Sequence, residues 1–173
     1  MRTRGVLLAA FLVVSGVLAM ADDADAIAKL RQASPWIPAD SAVTKAADGT
    51  WKILDNVKVA FIDDGSVLGT WKSVDFVSEI DQFNPYEKSF GQELFWKSVE
   101  FQKGGFQVSY FGTFKNSSNR WTKGLYLNTN ANEATASRYE LKTIADKEFL
   151  FIEWKSGDYT VRASKPGLYV FSR

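Results

Sequence analysis

Short apolar runs alternate with polar turns along most of this chain, from Thr50 to Arg173. Runs of this length, rich in β-branched and aromatic residues and bounded by Gly, Asn, Asp or Pro, are typical of β-strands. They predict nine strands, near 50–62, 67–78, 93–103, 106–114, 120–128, 135–144, 148–156, 158–164 and 168–172. The short connections contain no helical pattern, which favours a sandwich or a barrel of consecutive antiparallel strands. We predict an all-β, up-and-down meander that closes into a barrel of about eight or nine strands.

The clearest strand signal lies in the stretch 148–162, EFLFIEWKSGDYTVR. Successive side chains of a strand point to opposite faces, and both faces of the run from Phe149 to Trp154 are mainly apolar. We therefore expect a central strand that is buried on both sides. The pair Gly157-Asp158 is a two-residue hairpin signal and predicts a turn after this strand.

The first 21 residues have the pattern of a secretory signal peptide. Arg2 and Arg4 precede an apolar stretch at 5–18, and Ala19-Met20-Ala21 supplies a small-x-small cleavage site. A membrane anchor is the alternative, but the apolar stretch is short for a span and acidic residues follow it at 22–25. We therefore expect export to a periplasmic or extracellular location, and no transmembrane segment after signal cleavage.

The segment between the signal and the strands has a different composition. Ala24–Gln32 is rich in alanine and predicts a short helix, which Pro35 and Pro38 prevent from continuing. The residues that follow, up to Gly49, read as irregular. The predicted organisation is a signal peptide at 1–21, a helix and irregular segment at 22–49, and a β-barrel domain at 50–173.

Cleavage after Ala21 would leave a chain with no His, Cys or Met, because both methionines lie in the signal. Catalysis by Ser-His or Cys-His pairs is thereby excluded, as are metal sites built on imidazole or thiolate. Removing Arg2 and Arg4 from the 21 basic residues leaves 19 against 20 acidic ones. A nucleic-acid partner normally requires a basic excess, so none is predicted. We predict no cofactor and no metal.

Several charged residues fall on otherwise apolar faces of the predicted strands. Lys123 and Glu153 both point inward by alternation. They are expected to pair with each other, to line a cavity and orient a ligand, or to lie exposed at the barrel rim. Asp75 and Arg162 could extend either arrangement, and tryptophans begin two of the strands. The candidate ligand-binding residues are Trp71, Asp75, Trp121, Lys123, Glu153 and Arg162.

Enzymatic chemistry would have to come from carboxylates. Asp75 and Glu153 could form the pair that a glycoside hydrolase needs, but no spacing in the sequence identifies such a pair. Asp63-Asp64-Gly65 lacks the ligand periodicity of a calcium loop and reads as a turn. We therefore predict no catalytic residues and no enzyme.

Two resemblances add to this pattern. Gly69-Thr70-Trp71, at the start of the first long strand, is similar to the G-x-W start of lipocalins, whose barrels bind small and usually apolar molecules. Six segments resemble a module found in bacterial exported proteins and in the extracytoplasmic part of some relatives of β-lactam-sensing membrane metallopeptidase regulators. They are LGTWKSVDFV at 68–77, DQFNP at 81–85, WTKG at 121–124, TASRYELK at 135–142, and EWKSGDYTVR with KPGLYV within 153–170. The second resemblance implies an exported β-rich domain, with a sensory role as one option, and it transfers no functional residue.

Together these observations predict an exported, non-enzymatic domain of lipocalin-like architecture that binds a small, partly apolar ligand or an envelope component. The alternatives are a surface interaction or sensor module with a filled barrel, and a carbohydrate-binding protein. A ligand-binding barrel requires an internal cavity of a few hundred Å³. The sequence does not indicate the oligomeric state.

Overall fold

The computed structural model describes residues 12–130 and 133–173, and the side chains from residue 23 onward. The first half of the predicted signal peptide, residues 1–11, lies outside the described residues. The helices are α1 (Leu12–Ala33) and α2 (Asp158–Arg162). The strands are β1 (Ala42–Lys45), β2 (Trp51–Leu54), β3 (Gly69–Val77), β4 (Trp96–Gln102), β5 (Phe106–Phe111), β6 (Phe114–Asn116), β7 (Arg120–Thr122), β8 (Leu125–Thr129), β9 (Ala134–Ile144), β10 (Lys147–Glu153) and β11 (Leu168–Ser172).

Strands β3 to β11 form one antiparallel sheet, which closes into a barrel. The order is β4-β3-β11-β10-β9-β8-β7-β5-β6, and an additional pairing between β4 and β5 closes eight strands into a ring. Strand β6 is an extra strand that pairs with the end of β5. Full closure removes the free edges of the ring. The prediction of an all-β antiparallel barrel of eight or nine strands with an N-terminal helix is therefore confirmed.

The interior of the barrel is filled mainly by aromatic side chains. Trp71, Trp96, Trp121, Phe101 and Phe171 are each at most 1% exposed. Leu150 and Ile152 of β10 pack into the same cluster. Rings of this size bury a large apolar area each, so this cluster supplies most of the driving force for folding.

The outer face of the wall formed by β3, β11 and β10 is also buried. Phe149 and Phe151 point outward there, and the ring of Phe83 meets them edge to face, with centroids 4.8 and 5.6 Å away. The long connection 78–90 thus covers this wall. Asp75 fixes the end of the connection by accepting the backbone N–H groups of Ser89 and Phe90, each at 2.9 Å. The prediction that β10 is central and buried on both faces is confirmed.

Two predicted strands are wrong. Within 50–62 only Trp51–Leu54 is a strand, and it pairs with β1 in a separate two-stranded sheet. Within 158–164 the chain forms the helix α2, so the predicted hairpin turn is also wrong. Gly157 adopts φ 62° and Tyr159 turns into the protein, where it is 2% exposed. Burial of this side chain overrides the local turn signal.

A third prediction, a continuous strand at 120–128, is wrong at its centre. The chain turns at Lys123-Gly124, where Gly124 has φ 78°, and β7 pairs with β8 across this turn. Side chains on the two sides of a hairpin turn do not follow one alternation. Lys123 therefore lies in the turn and is exposed instead of pointing inward.

The N-terminal hairpin packs beside the barrel. Ile37, Val43 and Ile53 form a small core with Tyr159 and Ala163, the buried side of α2. Within residues 12–130 and 133–173, no helix is both long and apolar enough to cross a membrane.

Candidate functional site

A pocket opens at the mouth of the barrel where β5, β8 and β10 end and where β6 and β9 begin. Its volume is about 210 Å³, which is smaller than the roughly 300–1,000 Å³ of pockets that enclose drug-sized ligands. We call it the mouth pocket. Its lining residues are Phe95, Trp96, Phe111, Phe114, Asn116, Asn119, Tyr126, Asn128, Asn130, Glu133, Thr135, Ser137, Glu153, Trp154, Lys155 and Ser156.

One side of the mouth pocket is an aromatic wall. Trp154 lies 5.9 Å from Trp96, 6.0 Å from Phe111 and 6.4 Å from Phe95, measured between ring centroids. Phe95 and Phe114 stand at the rim, 57% and 62% exposed. Large exposed rings around a concave apolar surface are typical of ligand entrances.

A chain of hydrogen bonds runs from the mouth pocket into the barrel. Asn119 Nδ2 donates to the hydroxyl of Tyr126 at 2.7 Å, which lies 3.2 Å from Ser109 Oγ. Ser109 Oγ donates to Gln107 Oε1 at 2.7 Å. Burial raises the pKa of Tyr126 to about 12, although these hydrogen bonds oppose the shift. The hydroxyl therefore stays protonated at neutral pH and can link its two neighbours.

Both ends of this chain carry an atom without a partner. Asn119 Oδ1 and Gln107 Nε2 are buried and have no hydrogen-bond partner among the described residues. An unpaired buried polar atom costs about 1–3 kcal/mol, so such atoms are uncommon in folded proteins. Asn119 lines the mouth pocket and is 2% exposed, so its unpaired oxygen is a buried acceptor beside the cavity.

Two charged residues, Glu153 and Lys155, also line the mouth pocket. Together with the buried Asp55 we call them the charge cluster. The first residues of β9 lie beyond the end of β10, so their backbone groups need other partners. Glu153 Oε2 accepts the N–H of Arg138 at 2.9 Å. Asp55 Oδ2 accepts the N–H of Ala136 at 3.0 Å, and Lys155 Nζ donates to the Ala136 carbonyl at 3.0 Å. The charge cluster thus takes the place of a neighbouring strand.

Two of its members, Lys155 and Asp55, are buried and hydrogen-bonded, and Glu153 is partly buried. The side chains of Lys155 and Asp55 are 1% and 0% exposed, and their charged atoms lie 3.2 Å apart. Asp55 Oδ1 also accepts the hydroxyls of Ser41 at 2.8 Å and Tyr159 at 2.6 Å. Burial, together with the negative charge of Asp55, raises the pKa of Tyr159. Buried charges need this degree of satisfaction, so the cluster joins the N-terminal hairpin, α2 and the barrel into one unit.

Of the six predicted site residues, only Glu153 lines the mouth pocket. Trp71 and Trp121 lie in the closed part of the barrel interior, 0% and 1% exposed. Asp75 anchors the connection 78–90, and Arg162 is exposed on α2, where it pairs with Asp158 at 2.8 Å. Residues predicted to act together are therefore spread over several parts of the molecule.

The predicted ion pair between Lys123 and Glu153 is not formed. Glu153 pairs with Lys155 instead, at 3.6 Å, because Lys123 lies in the exposed turn between β7 and β8. Sequence alone carried one signal for this, since Lys155 follows Glu153 by two residues and shares its face of an extended chain. No comparable signal exists for Asp55 and Asn119, because both lie in irregular segments.

In the described part of the chain, no group of three or more acidic side chains is placed to hold a metal ion. Comparison with protein-family models, curated proteins and solved structures finds no match. The fold defines a closed eight-stranded antiparallel barrel, consistent with a lipocalin-like architecture. The resemblance to an exported bacterial module remains a prediction from the sequence.

Proposed function

We propose that this protein is an exported, non-enzymatic binding protein that holds a small, partly apolar ligand in the mouth pocket. The observation that carries the proposal is the unpaired oxygen of Asn119, which is buried at an aromatic cavity. A ligand that donates a hydrogen bond to this oxygen and lies against Trp154 would relieve the desolvation penalty of the oxygen and bury apolar surface. Export is supported by the pattern of residues 1–21.

The alternatives fit these features less well. A surface interaction module needs no cavity inside its barrel. A carbohydrate platform needs exposed, coplanar rings, whereas Trp154 is inclined by 50° to Trp96 and by 75° to Phe95. A pocket lined on one side by inclined rings suits a ligand that enters the barrel mouth.

The test is native mass spectrometry of protein purified from its own host, to find a small molecule that co-purifies. Phe95→Ala removes an aromatic ring at the rim of the mouth pocket, where this side chain is 57% exposed. Phe106→Ala is the matched control, because this ring is 51% exposed and lies at the opposite end of β5 from the pocket. We expect Phe95→Ala to weaken retention of the molecule by about tenfold, from the loss of roughly 1.5 kcal/mol of apolar contact.

Phe106→Ala is expected to retain the molecule as the wild-type protein does. The proposal fails if the wild-type protein is recovered empty, or if both variants lose the molecule to the same extent.

A further inference from the structure

The charge balance of the mouth pocket is negative. Lys155 is its one ammonium group among the described lining residues, and it is shared by two carboxylates, Asp55 at 3.2 Å and Glu153 at 3.6 Å. One positive charge cannot neutralise two negative ones, so this side of the pocket carries an excess negative charge. The excess is partly buried, where charge interactions are stronger than in bulk water.

Glu133 adds a second uncompensated carboxylate. It accepts hydrogen bonds from Ser156 Oγ at 3.2 Å, from the N–H of Gly157 at 3.2 Å and from Thr160 Oγ1 at 3.3 Å. These donors hold the carboxylate in place at the pocket wall without cancelling its charge. No Lys or Arg of the described chain lies within ion-pair distance of it.

The aromatic wall also favours a positively charged ligand. The face of an aromatic ring is negative, and rings that surround a point from several directions bind ammonium groups. Trp154 is inclined by 50° to Trp96, by 50° to Phe111 and by 75° to Phe95. Trp154 thus presents its ring at an angle to its neighbours, and Phe95, stacked on Phe111 at 29°, adds an exposed ring at the rim.

The unpaired Asn119 oxygen is an independent indication. It is an acceptor, so it requires a donor from the ligand, and an ammonium group supplies N–H donors. Excess carboxylates, an aromatic wall and an unpaired buried acceptor therefore all favour an ammonium group in the ligand. A carboxylate or phosphate ligand would meet repulsion from Glu133 and Glu153 and would offer nothing to Asn119.

We infer that the ligand of the mouth pocket is a small organic cation, an amine or ammonium carried on an apolar body. This inference rests on the proposed function and gives the chemical class of the ligand. The volume of about 210 Å³ limits the ligand to a small molecule. The carboxylates attract the ammonium group, and Trp154 and Phe95 contact the apolar body.

The test is isothermal titration calorimetry at neutral pH with 2-phenylethylamine, 2-phenylethanol and phenylacetate. The three share a phenyl ring and carry a positive charge, no charge and a negative charge. We expect the amine to bind about tenfold more tightly than the alcohol, and phenylacetate to bind most weakly. Equal binding of amine and alcohol, tightest binding of phenylacetate, or no detectable binding of any of the three would overturn the inference.

Two variants separate the charge of the pocket from general effects. Glu133→Gln keeps the shape of the side chain and removes its charge. Glu140→Gln is the matched control, because Glu140 is exposed on β9 and pairs with Lys142. Far-UV circular dichroism checks that both variants fold.

We expect Glu133→Gln to weaken binding of the amine by about fivefold and to leave binding of the alcohol unchanged. Glu140→Gln should change the binding of neither. Equal amine affinities in the two variants count against the inference. The proposed function is judged separately, because a co-purified molecule that is lost in Phe95→Ala but is neutral or anionic would support binding and refute the cationic class.

Discussion

The two ends of the barrel interior use the same kinds of side chain in different ways. At the end near the Gly104-Gly105 turn, Trp121 is 1% exposed and its indole N–H donates to the carbonyls of Gln102 at 2.9 Å and Phe106 at 2.7 Å. At the mouth, Trp154 lines a cavity. The closed end satisfies its indole N–H within the protein, although Gln107 Nε2 there has no partner, whereas the mouth combines the unpaired oxygen of Asn119 with a cavity.

This difference separates stability from binding within one fold. A closed, densely packed interior contributes most to folding, because each buried ring removes apolar surface from water. An open interior with an unpaired acceptor contributes less to stability, and a bound ligand can stabilise it. Substitutions at the closed end are therefore expected to change stability, and substitutions at the mouth to change binding.

The largest effect is expected from Trp121→Ala. It leaves a cavity at the closed end and deprives two backbone carbonyls of their donor, so the free energy of unfolding should fall by about 4 kcal/mol. Urea denaturation followed by circular dichroism measures this change. Phe114→Ala, at the mouth where the ring is 62% exposed, is the control and should change stability by less than about 0.5 kcal/mol. Similar losses in the two variants would break the distinction between the two ends.

A smaller loss is expected from Lys155→Met, which tests whether the charge cluster is the structural part of the mouth. The substitution leaves the buried carboxylate of Asp55 without its cation and should lower the free energy of unfolding by about 3 kcal/mol. The control is Lys165→Met, whose ion pair with Glu79 is about half exposed and whose loss should cost less than about 1 kcal/mol.

Urea denaturation of both variants gives the comparison. If Lys155→Met lowers the free energy of unfolding no more than Lys165→Met does, contacts other than those of the charge cluster hold the first residues of β9 in place.

The barrel could be predicted from the sequence because its signals are local. Apolar alternation and turn residues locate most of the strands, and the two apolar faces of Phe149–Trp154 indicate a central strand. Closure follows from short connections between consecutive strands. The errors arise where a distant contact decides the local structure. The Tyr159 hydroxyl donates a hydrogen bond to Asp55, 104 residues away, and the segment predicted as a strand is a helix.

The candidate site was less predictable for the same reason. Lys155 and Asp55 are 100 residues apart, and the pairing of a buried charge with a distant segment leaves no periodic pattern in the sequence. The sequence predicts a site role for Glu153, since a carboxylate in an apolar run is conspicuous, but it favours Lys123 as the partner and not Lys155. The run 120–128 alternates like one strand, so it predicts an inward Lys123 and conceals the Lys123-Gly124 turn.

The smallest of the three effects concerns Tyr126, which lies between the two ends of the interior. Burial raises its pKa to about 12 in the folded state, whereas an unfolded tyrosine ionises near about pH 10. Below about pH 10 the Tyr126 hydroxyl is protonated in both the folded and the unfolded state, and its contribution to stability is fully present. Above it the unfolded state loses the proton first, so this contribution falls as pH rises, by roughly 2 kcal/mol up to about pH 12.

Tyr126→Phe removes the ionisable hydroxyl and should remove this part of the alkaline decline. It should also lower stability at neutral pH by about 1 kcal/mol, because Asn119 Nδ2 loses its acceptor. Tyr110→Phe is the control, since Tyr110 is 41% exposed on the same strand, β5, as the buried Ser109 that contacts the Tyr126 hydroxyl. Urea denaturation at several pH values between about 8 and 12 gives the slopes.

The slope of the free energy of unfolding against pH in Tyr126→Phe shows whether water reaches the mouth end of the barrel interior. A shallower alkaline decline than in the wild type and in Tyr110→Phe would place the hydroxyl in a dry interior, continuous with the closed end. Parallel declines would mean that water reaches Tyr126 in the folded state and stabilises its ionised form. In that case the unpaired oxygen of Asn119, which belongs to the same hydrogen-bond chain, would already be hydrated, and a ligand would have to displace that water to bind.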